Sequence, residues 1–282
     1  MNSQAAKLRA SMEKGIVMCP GAWNGLVGAA IAKAGFTSCY ISGGATANAS
    51  GYPDVGLITL TEMCRTIKEV SNACKLPVIV DADTGYGEIE CLARTVIEYE
   101  RSGAAGMHIE DQEFPKRCGH LDGKTLISTS AMVQKISTAS KNRLNDEFIL
   151  IARTDARGVD GMDAAIDRGN AYREAGADMV FPEGLRSEEE FAEFAIKCPG
   201  LLLANMTEFG KTPHLTASRF YDIGYNLVIY PVTFQRVAMG AITRCLEQLH
   251  KEGSAEGFEG QMQTRQELYD LLGYVPGEAW SF

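Results

Sequence analysis

Several patterns that define common protein classes are absent from this 282-residue sequence. Its eight cysteines contain no C-x-x-C pair, so neither a disulfide framework nor a zinc site is indicated, and reduced thiols are expected. No apolar run is long enough to span a bilayer, and the N-terminus lacks the apolar segment of a secretory signal. We expect a cytoplasmic protein outside the membrane; an organelle reached with a targeting peptide that is later removed is the alternative.

Positive charge is also scarce. The chain has 27 Lys and Arg against 36 Asp and Glu, a net charge of −9, and no basic run. This composition excludes the broad basic surface by which proteins bind nucleic acids. Because the chain is acidic, a site for an anionic ligand needs locally concentrated arginines.

What the chain does contain is a repeated pattern of short apolar segments, each followed by a helix-like stretch. Uninterrupted apolar segments indicate strands buried on both faces, as in a parallel sheet. The pattern predicts an α/β protein with a (β/α)8 TIM-type barrel over residues 1–252. A doubly wound open sheet is the alternative, but no G-x-G-x-x-G follows the first strand. The predicted strands are 16–19, 38–41, 78–80, 106–109, 148–152, 179–181, 201–204 and 227–230.

The end of the chain, 253–282, differs from the barrel pattern. Glycine and serine at 253–257 predict a flexible hinge, and a helix is predicted over 262–272. We interpret this segment as a hinge and helical tail of the same assembly, which either packs on the barrel or reaches a neighbouring subunit.

A thiol flanked by cations stands out in the sequence Lys116-Arg117-Cys118-Gly119-His120. The two cations and a charged His120 are expected to stabilise the thiolate and lower the pKa of Cys118. A single cysteine usually fills space, but adjacent polar partners in a loop with glycine and proline favour a reactive group. We therefore predict that Cys118 is a catalytic acid or base.

Polar residues also follow nearly every predicted strand, where barrel enzymes carry their reacting groups. Each has an ordinary explanation as a solvated loop residue, whereas the set together indicates a site. The strand-end residues are Tyr40, Ser42, Gly43, Gly44, Asp81, Asp83, Glu110, Asp111, Arg153, Asp155, Glu183, Asn205, Met206, Thr207 and Arg236.

Four of these residues, Asp81, Asp83, Glu110 and Glu183, would repel one another unless a dication lay between them. Oxygen ligands from carboxylates and water suit Mg²⁺, with Mn²⁺ as a substitute, rather than zinc. His108 comes from inside a strand and is interpreted as a packed core histidine.

Five segments together resemble the isocitrate lyase / phosphoenolpyruvate mutase superfamily, and most closely its methylisocitrate lyases. The segments are 81–87, 108–112, 116–120, 152–155 and 204–213. The resemblance implies an α/β barrel that cleaves 2-methylisocitrate to pyruvate and succinate with Mg²⁺. The alternatives are a lyase for 2,3-dimethylmalate or isocitrate, a phosphonate mutase or hydrolase, which need not carry a catalytic cysteine, and an organic-acid-binding barrel without turnover.

The resemblance also implies roles for individual residues. Asp81 and Asp83 would form the metal site, and Glu110 and Glu183 would act mainly through metal-bound water. Cys118 is placed to exchange a proton with a substrate carbon.

Tyr40 is a candidate for the group that exchanges the hydroxyl proton, and the alternative is a buried tyrosine that satisfies one hydrogen bond. Arg153, Arg236 and Arg265 would supply one cation for each carboxylate of a tricarboxylate. The last barrel helix would be exchanged with a partner subunit, in a homotetramer built as a dimer of dimers. The residues expected to contact the substrate are Ser42, Gly43, Gly44, Cys118, Gly119, His120, Arg153, Glu183, Asn205, Met206, Thr207, Arg236 and Arg265.

Overall fold

The computed structural model describes residues 3–280; residues 1, 2, 281 and 282, which belong to the predicted barrel and tail ranges, lie outside it. Eight parallel strands form a nearly closed barrel in which each strand pairs with the next along the chain. The first and second strands meet through a bridge between Gly21 and Tyr40. The strands are β1 Val17–Pro20, β2 Cys39–Ile41, β3 Val78–Asp81, β4 Gly106–Glu110, β5 Ile149–Thr154, β6 Met179–Pro182, β7 Leu201–Asn205 and β8 Leu227–Tyr230.

The barrel prediction is confirmed. Every predicted strand overlaps an observed strand, and the ends agree to within two residues. The agreement has a simple cause, because short apolar runs are the sequence pattern of strands buried on both faces. The pairing of β1 with β8 excludes the open doubly wound sheet.

Helices surround the barrel, and the first of them covers the end opposite the strand C-termini. The long helices α4 and α5 have capping signals that fix their ends: a capping box of Thr59 and Glu62 begins α4, and Gly103 with φ of +104° ends α5. The helices are α1 Gln4–Met12, α2 Gly25–Lys33, α3 Gly43–Ala49, α4 Leu60–Cys74, α5 Ile89–Ser102, α6 Thr129–Lys141, α7 Ala156–Val159, α8 Met162–Glu174, α9 Glu188–Lys197, α10 Ala217–Ile223, α11 Thr233–Glu252 and α12 Arg265–Leu272.

The core has two parts. Inside the barrel, alternate strand residues such as Ile79, Ile151 and Leu203 pack together, and Leu8 of α1 closes the end opposite the strand C-termini. Between strands and helices, two further apolar clusters hold the outer layer in place. The interior is therefore filled, and the site lies at the open end.

The tail contains one short helix more than predicted. Gly253 ends α11 in a left-handed conformation with φ of +68°, and a 3₁₀ helix, Glu256–Gln261, begins after Ser254 and Ala255. The last helix begins three residues later than predicted because Thr264 and Glu267 form its capping box. The predicted hinge thus contains a helix end and lies next to a further short helix, and its flexibility stays a prediction.

In residues 3–280, we find no helix that combines the length and the apolar character needed to cross a membrane.

Candidate active site

A cavity of about 170 Å³ opens at the C-terminal ends of the strands. Predicted site residues line most of it: Tyr40, Ser42, Gly44, Asp81, Cys118, Gly119, His120, Arg153, Glu183, Asn205, Thr207 and Arg236. Seven further lining residues are not among the predicted catalytic, substrate-binding or metal-binding residues, although Lys116 belongs to the predicted reactive loop: Asn48, Asp54, Lys116, Phe181, Ile229, Pro231 and Val232. The structure thus brings together the strand ends selected from the sequence, together with groups from the loops.

The N-terminus of α3 packs directly against the acidic end of β3. The backbone N–H of Gly43 donates to Asp81 Oδ2 at 3.0 Å, and a Cβ at Gly43 would lie only 3.0 Å from Asp83 Oδ1. Glycine permits this close approach. Asp83 has a left-handed φ of +47°, and its N–H donates to Asp81 Oδ1 at 2.9 Å. Asp81, Asp83 and the backbone of Gly43 therefore form one hydrogen-bonded unit.

Lys116 neutralises acidic groups instead of facing the neighbouring thiol. Its ammonium lies 2.7 Å from Asp83 Oδ1 and also pairs with Asp54. Burial lowers the pKa of Lys116, but Asp83, Glu110 and Asp54 together raise it well above its ordinary value. Asp54 is not among the predicted site residues, because it lies in the loop between α3 and α4 and follows no strand.

The predicted lowering of the pKa of Cys118 is wrong. Burial of the thiol raises its pKa, and a hydrogen bond from the His120 backbone N–H opposes this only in part. The flanking cations are engaged elsewhere, since Lys116 is paired with acids, and the exposed Arg117 reaches the Asp122 carbonyl oxygen. Burial therefore favours the neutral thiol, which is the form that a proton donor needs.

Tyr40 and His108 form a buried pair at the floor of the cavity. The Tyr40 hydroxyl lies 2.7 Å from His108 Nε2, and His108 Nδ1 lies 3.6 Å from Asp81 Oδ1. Burial raises the pKa of Tyr40 well above its ordinary value, with Asp81 adding to the effect. Burial also lowers the pKa of His108 to about 4. Both side chains are neutral at neutral pH, so Tyr40 presents a phenol to the cavity.

The Arg153 guanidinium is surrounded by three buried carboxylates. Its Nε donates to Asp155 Oδ2 at 2.9 Å, and its Nη1 lies 3.2 Å from Glu110 Oε2. Its Nη2 lies 3.7 Å from Glu183 Oε2, and the group lies over the Phe181 ring at 5.2 Å. A permanently charged, planar cation held in this way is suited to bind a substrate carboxylate.

The buried acids leave oxygen atoms that fit a hydrated cation. Glu110 Oε1 has no hydrogen-bond partner among the described residues, and Glu183 Oε1 makes no hydrogen bond there, although His120 Nε2 lies 3.2 Å from it. Burial raises the pKa of Glu110 well above its ordinary value despite Arg153, so a further positive charge here would be favourable. Across residues 3–280, no three His, Cys, Asp or Glu side chains are grouped to enclose a metal. Unpartnered carboxylate oxygens are the ligands that suit an ion such as Mg²⁺, which keeps several of its waters.

Residues from other loops converge on Glu183 and complete the wall. His120 Nε2 lies 3.2 Å from Glu183 Oε1, and Asn205 Nδ2 donates to Glu183 Oε2 at 3.0 Å. Arg236 Nη1 donates to Thr207 Oγ1 at 3.2 Å at the cavity rim. All of these side chains line the cavity, and their contacts with a substrate stay predictions.

Some predicted site residues do not line the cavity. Gly43, Asp83 and Glu110 lie behind its wall and act on it through Asp81, Lys116 and Arg153. Met206 is buried in the outer apolar core, where it packs between β7 and the helices. Arg265 is exposed at the start of α12, so within one chain it does not complete the site. Neither Met206 nor Arg265 has a sequence feature that indicates this placement.

Comparisons with known proteins place this arrangement among enzymes. The family model of phosphoenolpyruvate phosphomutase matches residues 8–250. The chain is 50% identical over 260 residues to the probable 2-methylisocitrate lyase 1 of Corynebacterium glutamicum, which covers 92% of this chain and 85% of the relative. It is 47% identical over 268 residues to the 2-methylisocitrate lyase of Aeropyrum pernix, and this alignment covers 95% of this chain and 86% of the relative.

Solved structures give the same grouping. The crystal structure of 2,3-dimethylmalate lyase has a TM-score of 0.91 and 37% identity, and covers 97% of this chain and 92% of that one. A phosphonopyruvate hydrolase complex with oxalate and Mg²⁺ has a TM-score of 0.87 and 26% identity, and the alignment covers 96% of this chain and 95% of that one.

Proposed function

This chain belongs to the phosphoenolpyruvate phosphomutase family, and we propose that it cleaves 2-methylisocitrate to pyruvate and succinate with Mg²⁺. The observation that carries the proposal is one cavity that is lined by the Cys118 thiol and the buried Arg153 and lies beside an acidic cluster with an unpartnered carboxylate oxygen, Glu110 Oε1. The identity with 2-methylisocitrate lyases supports the choice of substrate.

The residues account for the steps of a retro-aldol cleavage. A base removes the substrate hydroxyl proton, the carbon–carbon bond breaks, and its electron pair remains on the carbon that becomes C2 of succinate. The Cys118 thiol donates its proton to that carbon. Arg153 binds a substrate carboxylate, and the neutral Tyr40 donates a hydrogen bond to the oxygen that becomes the pyruvate carbonyl.

Asp81 and Asp83 would hold the cation, with Glu110 and Glu183 acting through water. When bound, Mg²⁺ supplies a Lewis acid that stabilises negative charge on substrate oxygen. The Mg²⁺ in the phosphonopyruvate hydrolase complex supports this choice of ion. Lys116 already neutralises part of the acidic charge, so the ion would complete the balance.

Product identification from a substrate panel tests the proposal. With Mg²⁺, 2-methylisocitrate should give pyruvate and succinate, and EDTA should abolish the reaction. Isocitrate would give glyoxylate and succinate, whereas 2,3-dimethylmalate would give pyruvate and propionate. The likeness to 2,3-dimethylmalate lyase makes this dicarboxylate the second candidate, and tight binding without any product would identify a binding barrel.

We further propose that the protein assembles as a homotetramer built from helix-swapped dimers. Of the 20 residues of α11, Gln235 alone is buried, and Val237, Met239 and Leu246 are more than half exposed. Such an apolar face is stabilised when a second copy covers it. Light scattering of the purified protein should give four times the chain mass, and a monomer at micromolar concentration would contradict the proposal.

We also propose a cytoplasmic location. All eight cysteines are free thiols in the structure, which suits a reducing compartment. Fractionation of the native cells, with detection by antibody, tests this assignment.

A further inference from the structure

The two ends of the loop between β4 and α6 pair with each other. Gln112 forms an antiparallel bridge with Leu126, and the Glu113 N–H donates to the Thr125 carbonyl oxygen at 2.9 Å. The excursion between these pairs, 114–124, carries the candidate thiol over the cavity. Its base is therefore fixed, whereas the position of its tip depends on other contacts.

Lys124 supplies a buried contact that holds this tip. Its ammonium donates to the carbonyl oxygen of Gly119, in the same loop, and to Asp155 Oδ1 at 2.7 Å. The Asp155 carboxylate is fully buried and also accepts from Arg153 Nε at 2.9 Å and Nη2 at 3.2 Å. One carboxylate thus holds both the loop and the substrate-binding guanidinium.

The loop backbone packs tightly where Lys124 holds it. A Cβ at Gly119 would lie 2.4 Å from Glu183 Cγ and 2.5 Å from Arg153 Nη2. Such distances show that the peptide of Gly119, directly after Cys118, lies against the side chains at the cavity. A change in the length or charge of the Lys124 side chain would therefore shift the position of the Cys118 thiol.

We propose that Lys124 is a positioning residue, which ties the Cys118 loop to Asp155 so that the thiol and Arg153 keep a fixed relation. The inference rests on the proposed function for its kinetic consequence, but its structural consequence is independent of the substrate. No sequence pattern indicates this role, because Lys124 is a loop lysine whose carboxylate partner, Asp155, is distant along the chain.

The reactivity of individual thiols tests the structural part. Alkylation by iodoacetamide is followed by peptide mass spectrometry, with the exposed Cys91 as the internal reference. In Lys124→Met, the rate at Cys118 should rise about 10-fold or more, since a buried charge-assisted contact is lost, while Cys91 is unchanged. Lys124→Gln, which keeps an N–H donor, is measured alongside in case the methionine variant folds poorly, and its Cys118 rate should also rise.

Lys211→Met is the matched control. Lys211 pairs with exposed Asp122 of the same loop, so this variant removes a lysine–carboxylate pair without a buried contact. Its Cys118 rate should stay within about twofold of the wild type. Unchanged Cys118 rates in both folded Lys124 variants would overturn the proposal, and so would an equal increase in the Lys211 variant.

Steady-state kinetics separates positioning from general destabilisation. Lys124→Met should lower kcat about 10–100-fold with KM within about threefold, because Arg153 retains Asp155 while the thiol is displaced. Lys124→Arg should recover part of the loss. A raised KM with unchanged kcat would overturn the positioning role. If the wild type forms no pyruvate from 2-methylisocitrate, the proposed function fails, whereas the alkylation result still decides the role of Lys124.

Discussion

The Tyr172 hydroxyl donates a hydrogen bond to Asp111 Oδ2 at 2.8 Å, on the helical side of β4. Asp111 also accepts from Thr154 Oγ1 at 2.8 Å, so its carboxylate is satisfied within the outer layer. Glu110, the preceding residue, points to the opposite side and approaches Arg153. Two adjacent acids in the sequence thus serve different purposes, one in packing and one at the cavity.

An acid at the cavity and an acid in the outer layer should differ in what their alanine substitutions change, the Mg²⁺ requirement in one case and the stability in the other. Asp83→Ala should raise the Mg²⁺ concentration needed for half-maximal activity about 10–100-fold, because an acid beside the cation site is lost. Asp111→Ala should leave that concentration unchanged but lower the free energy of unfolding by about 3 kcal/mol, because it breaks a buried polar network. Mg²⁺ titrations and urea unfolding measure both quantities. Equal Mg²⁺ dependence would mean that the ion is misplaced.

The fold could be predicted from the sequence because each strand is a local apolar run, and the family prediction is confirmed for the same reason: its motifs are continuous segments. The electrostatics of the thiol could not be predicted in this way. Neighbours in the sequence suggested a lowered pKa for Cys118, but Lys116 and Arg117 point away from it. The partners of side chains in a loop are set by distant residues such as Asp54, Asp83 and Asp155, which no local pattern reveals.

Cys118→Ser tests the assigned proton donor. Serine is a much weaker acid, so turnover should fall about 10²–10⁴-fold while the affinity for substrate is retained. Isothermal titration with succinate and pyruvate in the presence of Mg²⁺ checks binding, and a pyruvate assay checks turnover. Cys91→Ser, which changes an exposed thiol, is the control. A variant with near wild-type turnover would contradict the role.

His108 should make the stability of the protein dependent on pH. Burial lowers the pKa of this histidine to about 4, so the folded chain stays unprotonated there while the unfolded chain binds a proton below about 6.5. The contribution is complete above pH 6.5 and is lost as the pH falls towards 4, by about 3 kcal/mol in total.

Urea unfolding in EDTA at several pH values measures this loss. The difference between the wild type and His108→Gln should shrink as the pH falls from 6.5 to 4, because only the wild type pays to keep a histidine neutral. The exposed His214 provides a control, His214→Gln, in which one histidine is likewise removed. A difference that does not vary with pH would contradict the assigned environment of His108.

The last prediction concerns Arg265, which lies outside the cavity of its own chain and, among the described residues, forms no ion pair. We expect it to serve a third substrate carboxylate in the cavity of a partner subunit. Arg265→Ala should lower kcat/KM for the tricarboxylate about 10–100-fold, because a charge-assisted contact is lost. Activity on 2,3-dimethylmalate, which has one carboxylate fewer, should change little.

Mixing variants decides which chain supplies the arginine. Cys118→Ser and Arg265→Ala are refolded together in equal amounts, so that mixed dimers form. If Arg265 completes the partner's cavity, each mixed dimer contains one cavity with both residues intact, and about a quarter of wild-type activity should return. If Arg265 acts within its own chain, no cavity has both residues intact. The mixture then shows only the residual activity of the Arg265→Ala chains that it contains. If Arg265→Ala weakens the use of both substrates equally, the residue stabilises the tail and binds no substrate.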